Sequence, residues 1–362
     1  MTVVTTQADP WILLLKGSTL GSYLLHECIG KGNFGLVFEA SHVDTGGMFA
    51  IKVLKPGVIA DSVIDFDNEA VLLRQLGSCD GVINFVDSGV EQITMQAAQG
   101  IVVPISVSFL VLSRASASVD ELVLDPVVRA NLSWIEKLRI WRDVIKAVRQ
   151  MHGQGVAHRD LKASNCLLMV RGNYSSAKLG DLGRAKDFTL GTSRPVEDYL
   201  NGRGDLRFAP PEYLHLQGDA TQAGFVAADY YGIGSVLVEL ATGQSMTSLA
   251  LGDVGAILRQ SEQDFVAGRR RDIGVLKGRY RSVIADIVSD LPACVRREAQ
   301  RLLTQLCHPV ASERSIPSPF RRDRLDRDDL HWILKRVDIM IRQLEIEARI
   351  ERRANNRMKV PA

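Results

Sequence analysis

The sequence predicts an α+β protein in two parts, a small antiparallel β-sheet with one helix followed by a larger, mostly α-helical region. Apolar and polar residues alternate from about Tyr23 to Leu54 around Gly-containing turns, and this period of two predicts an antiparallel sheet. Helical periods dominate from Pro126 onward and predict the second part. The chain of 362 residues is long enough for two such parts with short extensions.

The first part should contain three strands between Tyr23 and Leu54, followed by an amphipathic helix over Asp65–Leu76. Apolar runs at Val82–Val86 and Phe109–Leu112 predict two further short strands. In the second part, helices are expected over Leu132–Met151, Tyr230–Thr242, Cys294–Cys307 and Asp326–Ala354. The stretch Thr189–Arg207 is predicted to be a long loop.

The composition excludes several classes of protein. With 46% apolar and 24% charged residues the chain is too apolar to be disordered, and its net charge of +2 gives no reason to expect a nucleic acid partner. No apolar run approaches the roughly 18 residues of a membrane span, and the N-terminal residues lack the pattern of a secretory signal. The five separated cysteines predict neither a disulfide framework nor a zinc site, so we expect a cytoplasmic protein.

Residues 29–37, Ile-Gly-Lys-Gly-Asn-Phe-Gly-Leu-Val, contain the pattern G-x-G-x-x-G. Glycines let a backbone approach phosphates closely, but the same spacing occurs in dinucleotide-binding folds and in ordinary tight hairpins. Because the residues after Gly35 alternate like a strand, a hairpin that covers a nucleotide is preferred to a dinucleotide site. An ordinary hairpin is the alternative.

Lys52 lies in the apolar run Ala50–Val53, seventeen residues after Gly35. An ammonium group in an apolar strand needs an anionic partner, and Glu69 on the next helix is the available carboxylate. A surface lysine on an edge strand is the alternative.

Two motifs carry most of the functional information: His-Arg-Asp-Leu-Lys-Ala-Ser-Asn at 158–165 and Leu-Gly-Asp-Leu-Gly at 179–183. With the Gly-rich motif, Lys52 and the Pro-Pro-Glu of residues 210–212, they make the sequence resemble the eukaryotic-type protein kinase superfamily, on its serine/threonine side, over residues 23–317. The resemblance implies a bilobal protein kinase fold. An N-lobe at about 23–114 and a C-lobe at about 115–317 would lie between an N-terminal extension, 1–22, and a C-terminal helical extension, 318–362.

The resemblance implies phosphoryl transfer from ATP with Mg²⁺. Asp160 would take the proton of the acceptor hydroxyl, and Lys162 would neutralise charge on the transferred group. Lys52, held by Glu69, would contact the α- and β-phosphates. The implied Mg²⁺ ligands are Asn165 and Asp181. The implied nucleotide-binding residues of the Gly-rich loop, the neighbouring strands and the hinge are Ile29, Gly30, Gly32, Gly35, Val37, Ala50, Lys52, Ser113, Ala115 and Leu167.

Other matches imply scaffold roles. Glu212 would pair with Arg314, and Asp229 on a buried helix would brace the catalytic loop. The interval between Asp229 and Arg314 is long for the family, so an insertion is expected around 245–292. Its basic segment, 268–271, is interpreted as a solvated loop, with a docking site for a partner as the alternative.

Asp205 is a departure, because serine/threonine kinases usually have a threonine there. A second carboxylate close to Asp160 would add like charge, so we expect Asp205 to pair with Lys162, Arg203 or Arg207.

Arg159 and Lys186 are predicted to be two cations that a phosphate on the activation loop would join. The candidate acceptors in that loop are Thr189, Thr192, Ser193 and Tyr199.

The sequence therefore predicts a serine/threonine protein kinase that acts on protein substrates and phosphorylates itself. A pseudokinase-like nucleotide-binding interaction module is disfavoured because Lys52, Asp160, Asn165 and Asp181 are all present. A small-molecule kinase is disfavoured by Lys162 and the Pro-Pro-Glu motif. The apolar repeat of the C-terminal helix favours packing on the C-lobe, with a second copy or a partner protein as the alternative.

Overall fold

The computed structural model describes residues 9–32, 35–96, 102–172, 174–191, 195, 197–202, 204–314 and 329–358. The chain divides into two compact units between Ser116 and Ala117. Within the described residues, no helix is both long enough and apolar enough to cross a membrane. The cytoplasmic location stays a prediction.

The first unit is built on a six-stranded antiparallel sheet with the strand order β1-β2-β3-β4-β6-β5. The strands β2, β3 and β4 are the three predicted from the alternating pattern. The elements, in chain order, are α1 (Pro10–Leu15), β1 (Thr19–Leu20), β2 (Tyr23–Lys31), β3 (Gly35–His42), β4 (Met48–Leu54), α2 (Ala60–Gln75), β5 (Phe85–Gln96) and β6 (Val102–Ser113).

One face of this sheet forms an apolar core with α1. Phe38, Ile51 and Val53 are fully buried there together with Leu15 and Leu20 of the first 22 residues. Residues 9–22 are therefore an integral part of the unit, since their apolar side chains cover a sheet face that would otherwise meet water.

The fourth and fifth predicted elements are longer than the sequence patterns indicated. Helix α2 begins at Ala60 rather than Asp65, and β5 runs over Phe85–Gln96 instead of Val82–Val86. Val82 and Ile83 are buried in the turn before β5. The sequence pattern indicates only the first residues of β5, because β5 lies at the edge of the sheet, where polar residues face solvent and weaken the apolar signal.

The second unit is mostly helical, as predicted. Its described residues also form two small antiparallel sheets, one of three strands and one of two. Its strands are β7 (Ala117–Ser118), β8 (Val156–Ala157), β9 (Cys166–Arg171), β10 (Tyr174–Leu179) and β11 (Lys186–Asp187). Its helices are α3 (Val119–Leu124), α4 (Pro126–Asn131), α5 (Trp134–Gly153), α6 (Glu197–Leu200), α7 (Pro211–Leu214), α8 (Gln222–Thr242), α9 (Met246–Leu251), α10 (Val254–Val266), α11 (Lys277–Ser289), α12 (Ala293–Leu306) and α13 (Asp329–Met358).

Helix α8 forms the centre of the second unit. Its residues from Ala227 to Leu240 are buried without interruption, which explains its nearly continuous apolar sequence. The indole Nε1 of Trp141 on α5 donates a hydrogen bond to the Ile233 carbonyl of α8 at 2.8 Å. Helix α8 also buries the polar side chains of Asp229, Ser235 and Glu239. Because burying a polar group costs free energy, each of these residues needs a structural or functional reason.

Two regions contain helices that the sequence patterns did not predict, one in the expected insertion and one in the expected loop. Residues 245–292 contain α9, α10 and α11, and the loop predicted over 189–207 contains α6. In the basic segment, Arg269 and Arg271 both pair with Asp264, and Arg270 donates to Gln217 at 3.1 Å. These contacts hold the segment against its own unit.

The C-terminal helix α13 packs on α5 and α12. Ile333, Val337 and Met340 are fully buried on one side of it. Arg142 of α5 donates to Asp338 at 2.5 Å, at the border of this apolar contact. The buried face of α13 is thus used within the chain, which is the favoured one of the two predicted arrangements.

Candidate active site

The Gly-rich motif forms the hairpin between β2 and β3. Gly30 pairs with Val37, and the Gly32 N–H donates to the Gly35 carbonyl at 2.9 Å. A Cβ at Gly35 would lie 2.9 Å from the Val53 carbonyl oxygen, so a larger residue would displace the neighbouring strand. Residues 33 and 34, at the tip, lie outside the described residues.

Lys52 lies on the sheet face opposite the α1 core. It is paired with Val37 of β3 and Leu110 of β6, and its side chain meets Glu69 of α2 with an Nζ–Oε2 distance of 2.6 Å. The Glu69 side chain is only 1% exposed, so its charge needs this partner. The predicted contact between the two side chains is present, and the alternative of a surface lysine is wrong.

Three of the other implied nucleotide-binding residues of the first unit lie on its strands β2, β4 and β6. Ala50 lies two residues before it on the same face, and Ile29 of β2 is half exposed. Ser113 ends β6, with its N–H bonded to the Asn84 carbonyl at 2.9 Å.

Two implied nucleotide-binding residues lie outside the regular part of the first sheet. Ala115 follows the end of β6, and Leu167 belongs to the second unit, on β9. The nucleotide-binding roles of these residues stay predictions.

The motif at 158–165 forms a compact loop around Asp160. Lys162 Nζ lies 3.0 Å from Asp160 Oδ2, and the Asn165 amide donates to the Asp160 carbonyl at 2.7 Å. A 3₁₀ turn over Ala163–Asn165 returns the chain so that both side chains reach the same residue. Three of the predicted catalytic and metal-binding residues therefore meet in one place.

Asp229 of α8 braces the start of this loop, as the resemblance implied. Its carboxylate accepts the N–H of His158 at 2.8 Å, the N–H of Arg159 at 2.6 Å and the Nε2–H of His152 at 2.7 Å. Burial opposes ionisation, but these donors outweigh it and hold the Asp229 pKa below its ordinary value. The sequence patterns did not point to His152, because a histidine at the end of a helix has many ordinary explanations.

Asp181 is connected to the same loop through the residue before it. The Gly180 N–H donates to the Asn165 carbonyl at 3.0 Å, and the His158 Nε2–H donates to the Gly180 carbonyl at 3.1 Å. Asp181 has a φ of 57° and Arg159 a φ of 66°, a left-handed conformation that non-glycine residues seldom adopt outside functional sites.

The donor chemistry of Asn165 and Asp181 fits a magnesium ion. The Asn165 amide nitrogen is directed at Asp160, which leaves the amide oxygen as the group for a cation, and Asp181 adds a carboxylate. Within the described ranges, no group of three or more His, Cys, Asp or Glu side chains forms a metal site, so the remaining ligands would be water and phosphate oxygens.

Asp205 forms a two-point contact with Arg207, one of its three expected partners. The distances are 2.8 Å for Nη2–Oδ2 and 3.1 Å for Nε–Oδ1. Burial alone would raise the Asp205 pKa, but the Arg207 hydrogen bonds bring it below the ordinary value. Of the other two candidates, Lys162 bonds to Asp160 instead, and Arg203 lies outside the described residues.

The two cations assigned to an activation-loop phosphate already have partners. The Arg159 guanidinium stacks on the rings of Tyr199 and Phe225, at 5.4 and 4.9 Å, and Lys186 Nζ donates to the Gly191 carbonyl at 2.7 Å. Thr189 is exposed, Tyr199 is 2% exposed, and the candidate acceptors Thr192 and Ser193 lie outside the described residues.

The predicted pair of Glu212 and Arg314 is present and buried. Both carboxylate oxygens of Glu212 accept from Arg314, each at 2.7 Å. This contact fixes α7, immediately after the loop that carries Asp205, to the segment that follows α12.

Comparison with known proteins decides the family. The family model described as Protein kinase domain matches residues 23–320. This chain belongs to the protein kinase family. The resemblance inferred from the motifs and the expected kinase fold are therefore confirmed.

Three curated relatives illustrate the similarity. The chain is 30% identical over 222 residues to Cysteine-rich receptor-like protein kinase 38 of Arabidopsis thaliana, a match that covers 60% of the chain and 30% of the relative. It is 33% identical over 168 residues to CBL-interacting protein kinase 1 of Oryza sativa subsp. japonica, covering 46% of the chain and 33% of the relative. It is 30% identical over 226 residues to Serine/threonine-protein kinase ppk11 of Schizosaccharomyces pombe, covering 60% of the chain and 61% of the relative. The match thus spans about a third of the first two relatives.

Proposed function

We propose that this protein kinase is catalytically active and transfers the γ-phosphoryl group of ATP to serine and threonine hydroxyls of proteins, its own included. The observation that carries the proposal is the arrangement of Lys162 and Asn165 around Asp160, with Nζ–Oδ2 and amide–carbonyl distances of 3.0 and 2.7 Å. A chain that only bound nucleotide would not need a carboxylate, a lysine and an amide held together in this way.

Asp160 orients the acceptor hydroxyl and receives its proton. The acceptor oxygen forms a bond to the γ-phosphorus while the bond from that phosphorus to the bridging oxygen breaks, and ADP leaves. Lys162 sits beside Asp160 and neutralises negative charge on the transferred group.

Asn165 and Asp181 would hold Mg²⁺, whose role is to neutralise phosphate charge. Lys52, fixed by Glu69, binds the phosphates that precede the transferred one, and the hairpin of Gly30, Gly32 and Gly35 covers them.

Serine and threonine are favoured as acceptors by Lys162, which the resemblance associates with that branch, and by the name of the Schizosaccharomyces pombe relative. The experiment is incubation of the full chain with labelled ATP, Mg²⁺ and a generic protein substrate, followed by mapping of the phosphorylated residues. Phosphoserine and phosphothreonine are the expected products, and phosphotyrosine alone would contradict the assignment.

The Asp160→Asn variant tests the chemistry separately from binding. It should keep Mg-ATP affinity in calorimetry and lose transfer by about 100-fold or more. Asp219→Asn is the matched control, because Asp219 is an acidic residue of the same unit whose carboxylate accepts hydrogen bonds from Thr221, outside the catalytic loop. Wild-type protein that binds Mg-ATP and transfers nothing would instead be a pseudokinase-like interaction module.

A further inference from the structure

Helix α8 presents a second buried carboxylate to the catalytic loop, ten residues after Asp229. Glu239 is 4% exposed, and its Oε2 accepts the Ala163 N–H at 3.1 Å. Ten residues of helix span about 15 Å, so the two carboxylates reach different parts of the loop. Asp229 holds the backbone before Asp160, and Glu239 holds the backbone after Lys162.

The Ala163 N–H needs an acceptor from elsewhere. Ala163 is the first residue of the 3₁₀ turn that ends at Asn165, and the first N–H groups of such a turn have no acceptor within it. Among the described residues, Glu239 provides this acceptor. The turn in turn determines where Lys162, just before it, and Asn165, at its end, are placed relative to Asp160.

Glu239 is costly for the fold, which argues that it has a specific task. Its other oxygen, Oε1, is buried with no hydrogen-bond partner within the described part of the chain. The neighbouring residues Val238 and Leu240 are fully buried and apolar. An apolar residue at 239 would avoid the cost of burying a polar carboxyl group with one oxygen unpaired, so the side chain that is present is best explained by the contact it makes.

We propose that Glu239 is a positioning residue for phosphoryl transfer, acting through the Ala163 N–H to fix the turn that places Lys162 and Asn165 against Asp160. This inference rests on the proposed function. Without the acceptor the turn gains freedom, and the contacts of Lys162 and Asn165 with Asp160 form in fewer molecules. The rate of the chemical step then falls, while the affinity for nucleotide is kept.

Three variants of the full chain test this role. Glu239→Gln keeps an acceptor oxygen and the side-chain volume, whereas Glu239→Leu removes the acceptor and keeps the volume. Ser235→Ala is the matched control, because Ser235 is a buried residue of the same helix whose Oγ accepts the Met246 N–H at 3.2 Å, outside the catalytic loop. Glu239→Met is a fourth variant in case the leucine does not pack, since methionine adapts to irregular space.

The measurements are kcat and KM for ATP and a peptide, Mg-ATP affinity by calorimetry, and hydrogen exchange of the segment 161–166. We expect Glu239→Leu and Glu239→Met to lower kcat about tenfold or more, with KM within about twofold and faster exchange in the segment. Glu239→Gln should retain kcat within about threefold, because its amide oxygen accepts the same N–H. Ser235→Ala should lower the thermal midpoint without lowering kcat.

Several results would overturn the inference. A folded Glu239→Leu or Glu239→Met protein with wild-type kcat would do so, as would a Glu239→Gln protein as slow as either. A rise confined to the peptide KM would assign Glu239 to substrate contact instead of positioning. Wild-type protein that binds Mg-ATP but transfers no phosphate would overturn the proposed function together with this inference, whereas active wild type with unaffected variants would overturn the inference alone.

Discussion

Single residues of the catalytic loop show how much backbone strain this site tolerates. Arg159 and Asp181 have positive φ values; Arg159 precedes the catalytic Asp160, and Asp181 is itself an implied metal ligand. Hydrogen bonds from Asp229 hold the first, and contacts through Gly180 hold the segment of the second. Left-handed backbone costs on the order of 1 kcal/mol or more per residue, so these contacts must over-determine it.

The Lys52→Met variant should abolish transfer and lower the thermal midpoint without unfolding the protein, because the buried Glu69 carboxylate loses its partner at 2.6 Å. Methionine keeps an apolar stem in the strand, but the contact to phosphate is lost, so the rate should fall by about 100-fold or more. Lys55→Met is the control. Lys55 directly follows β4, and its ammonium group forms an ion pair with Asp9 at 2.9 Å instead of with Glu69. Labelled-phosphate transfer and the thermal midpoint are the measurements. Undiminished transfer by a folded Lys52→Met protein would contradict the role of Lys52 as a phosphate contact.

Asp205→Thr should raise transfer to a generic peptide at neutral pH. The Asp205 N–H donates to Asp160 Oδ1 at 3.4 Å, so Asp205 adjoins the catalytic residue, and its replacement by threonine removes one negative charge from this loop. Removing that charge should shift the acidic limb of the rate profile to lower pH.

Arg207→Gln is the control for Asp205→Thr, since it breaks the contact with Asp205 without removing the carboxylate. Steady-state transfer rates of the two variants and the wild type, measured across a pH series, test the prediction. An unchanged rate and profile in Asp205→Thr would mean that the departure from the family threonine is silent.

Glu239 should make the stability of the wild type depend on pH. Burial raises the pKa of Glu239 to about 8 from an ordinary 4.5, so the folded state holds a proton that the unfolded state releases between these values. The stability from this proton is fully present below the unfolded pKa and is lost as pH rises toward the folded one, by at most about 1.4 kcal/mol per pH unit. Because Glu239→Gln does not titrate, its thermal midpoint should rise relative to that of the wild type from about pH 5 to about pH 8, and parallel curves across this range would contradict the prediction.

At the scale of elements, the sequence predicted what local periodicity encodes. The strands β2 to β4 and the buried helix α8 were found because their apolar pattern follows directly from the faces they bury. The edge strand β5 was predicted too short, because its polar residues face solvent. The helix α6 was not predicted; it has four residues, of which Tyr199 stacks on Arg159. The start of α2 was misplaced because Ile59 and Ile64 are exposed and disturb the helical pattern.

Helix α13 should be held mainly by its apolar face. Ile333→Ala, at a fully buried position, should destabilise the protein by about 2 to 5 kcal/mol. Ile346→Ala removes the same atoms from the same helix at a position that is 55% exposed, and should change stability by less than about 0.5 kcal/mol. Urea unfolding of the full chain measures both, and equal effects would mean that α13 does not pack on α5 in solution.

At the scale of the whole molecule, the contacts of the candidate site fall into two groups, those between residues close in sequence and those between residues far apart. The contacts of Asp160 with Lys162 and Asn165 lie within five residues, so the motif nearly contains them. The bracing contacts from α8 join residues 70 to 77 positions apart, and the sequence pointed to Asp229 only through family resemblance. The sequence patterns did not indicate Glu239, because one glutamate in an apolar helix carries no periodic signal. Its burial in the structure is what points to a specific role.

The pair of Glu212 and Arg314 joins positions 102 residues apart and should be the most sensitive single contact of the second unit. Arg314 is fully buried and also donates to the backbone of Ala227 and Pro309, so its loss leaves the Glu212 carboxylate without compensation. Arg314→Met should therefore cost about 3 to 5 kcal/mol of unfolding free energy.

Replacing both partners of this pair should cost less than the sum of the single changes, because the double variant Glu212→Met with Arg314→Met buries no unpaired charge. Arg207→Met is the control for loss of an exposed pair, since that arginine is 69% exposed, and it should cost at most about 1 kcal/mol. Urea unfolding of the full-length variants, followed by tryptophan fluorescence, gives the four free energies. Additive single and double changes would show that the two side chains stabilise the fold independently and that the contact itself contributes nothing.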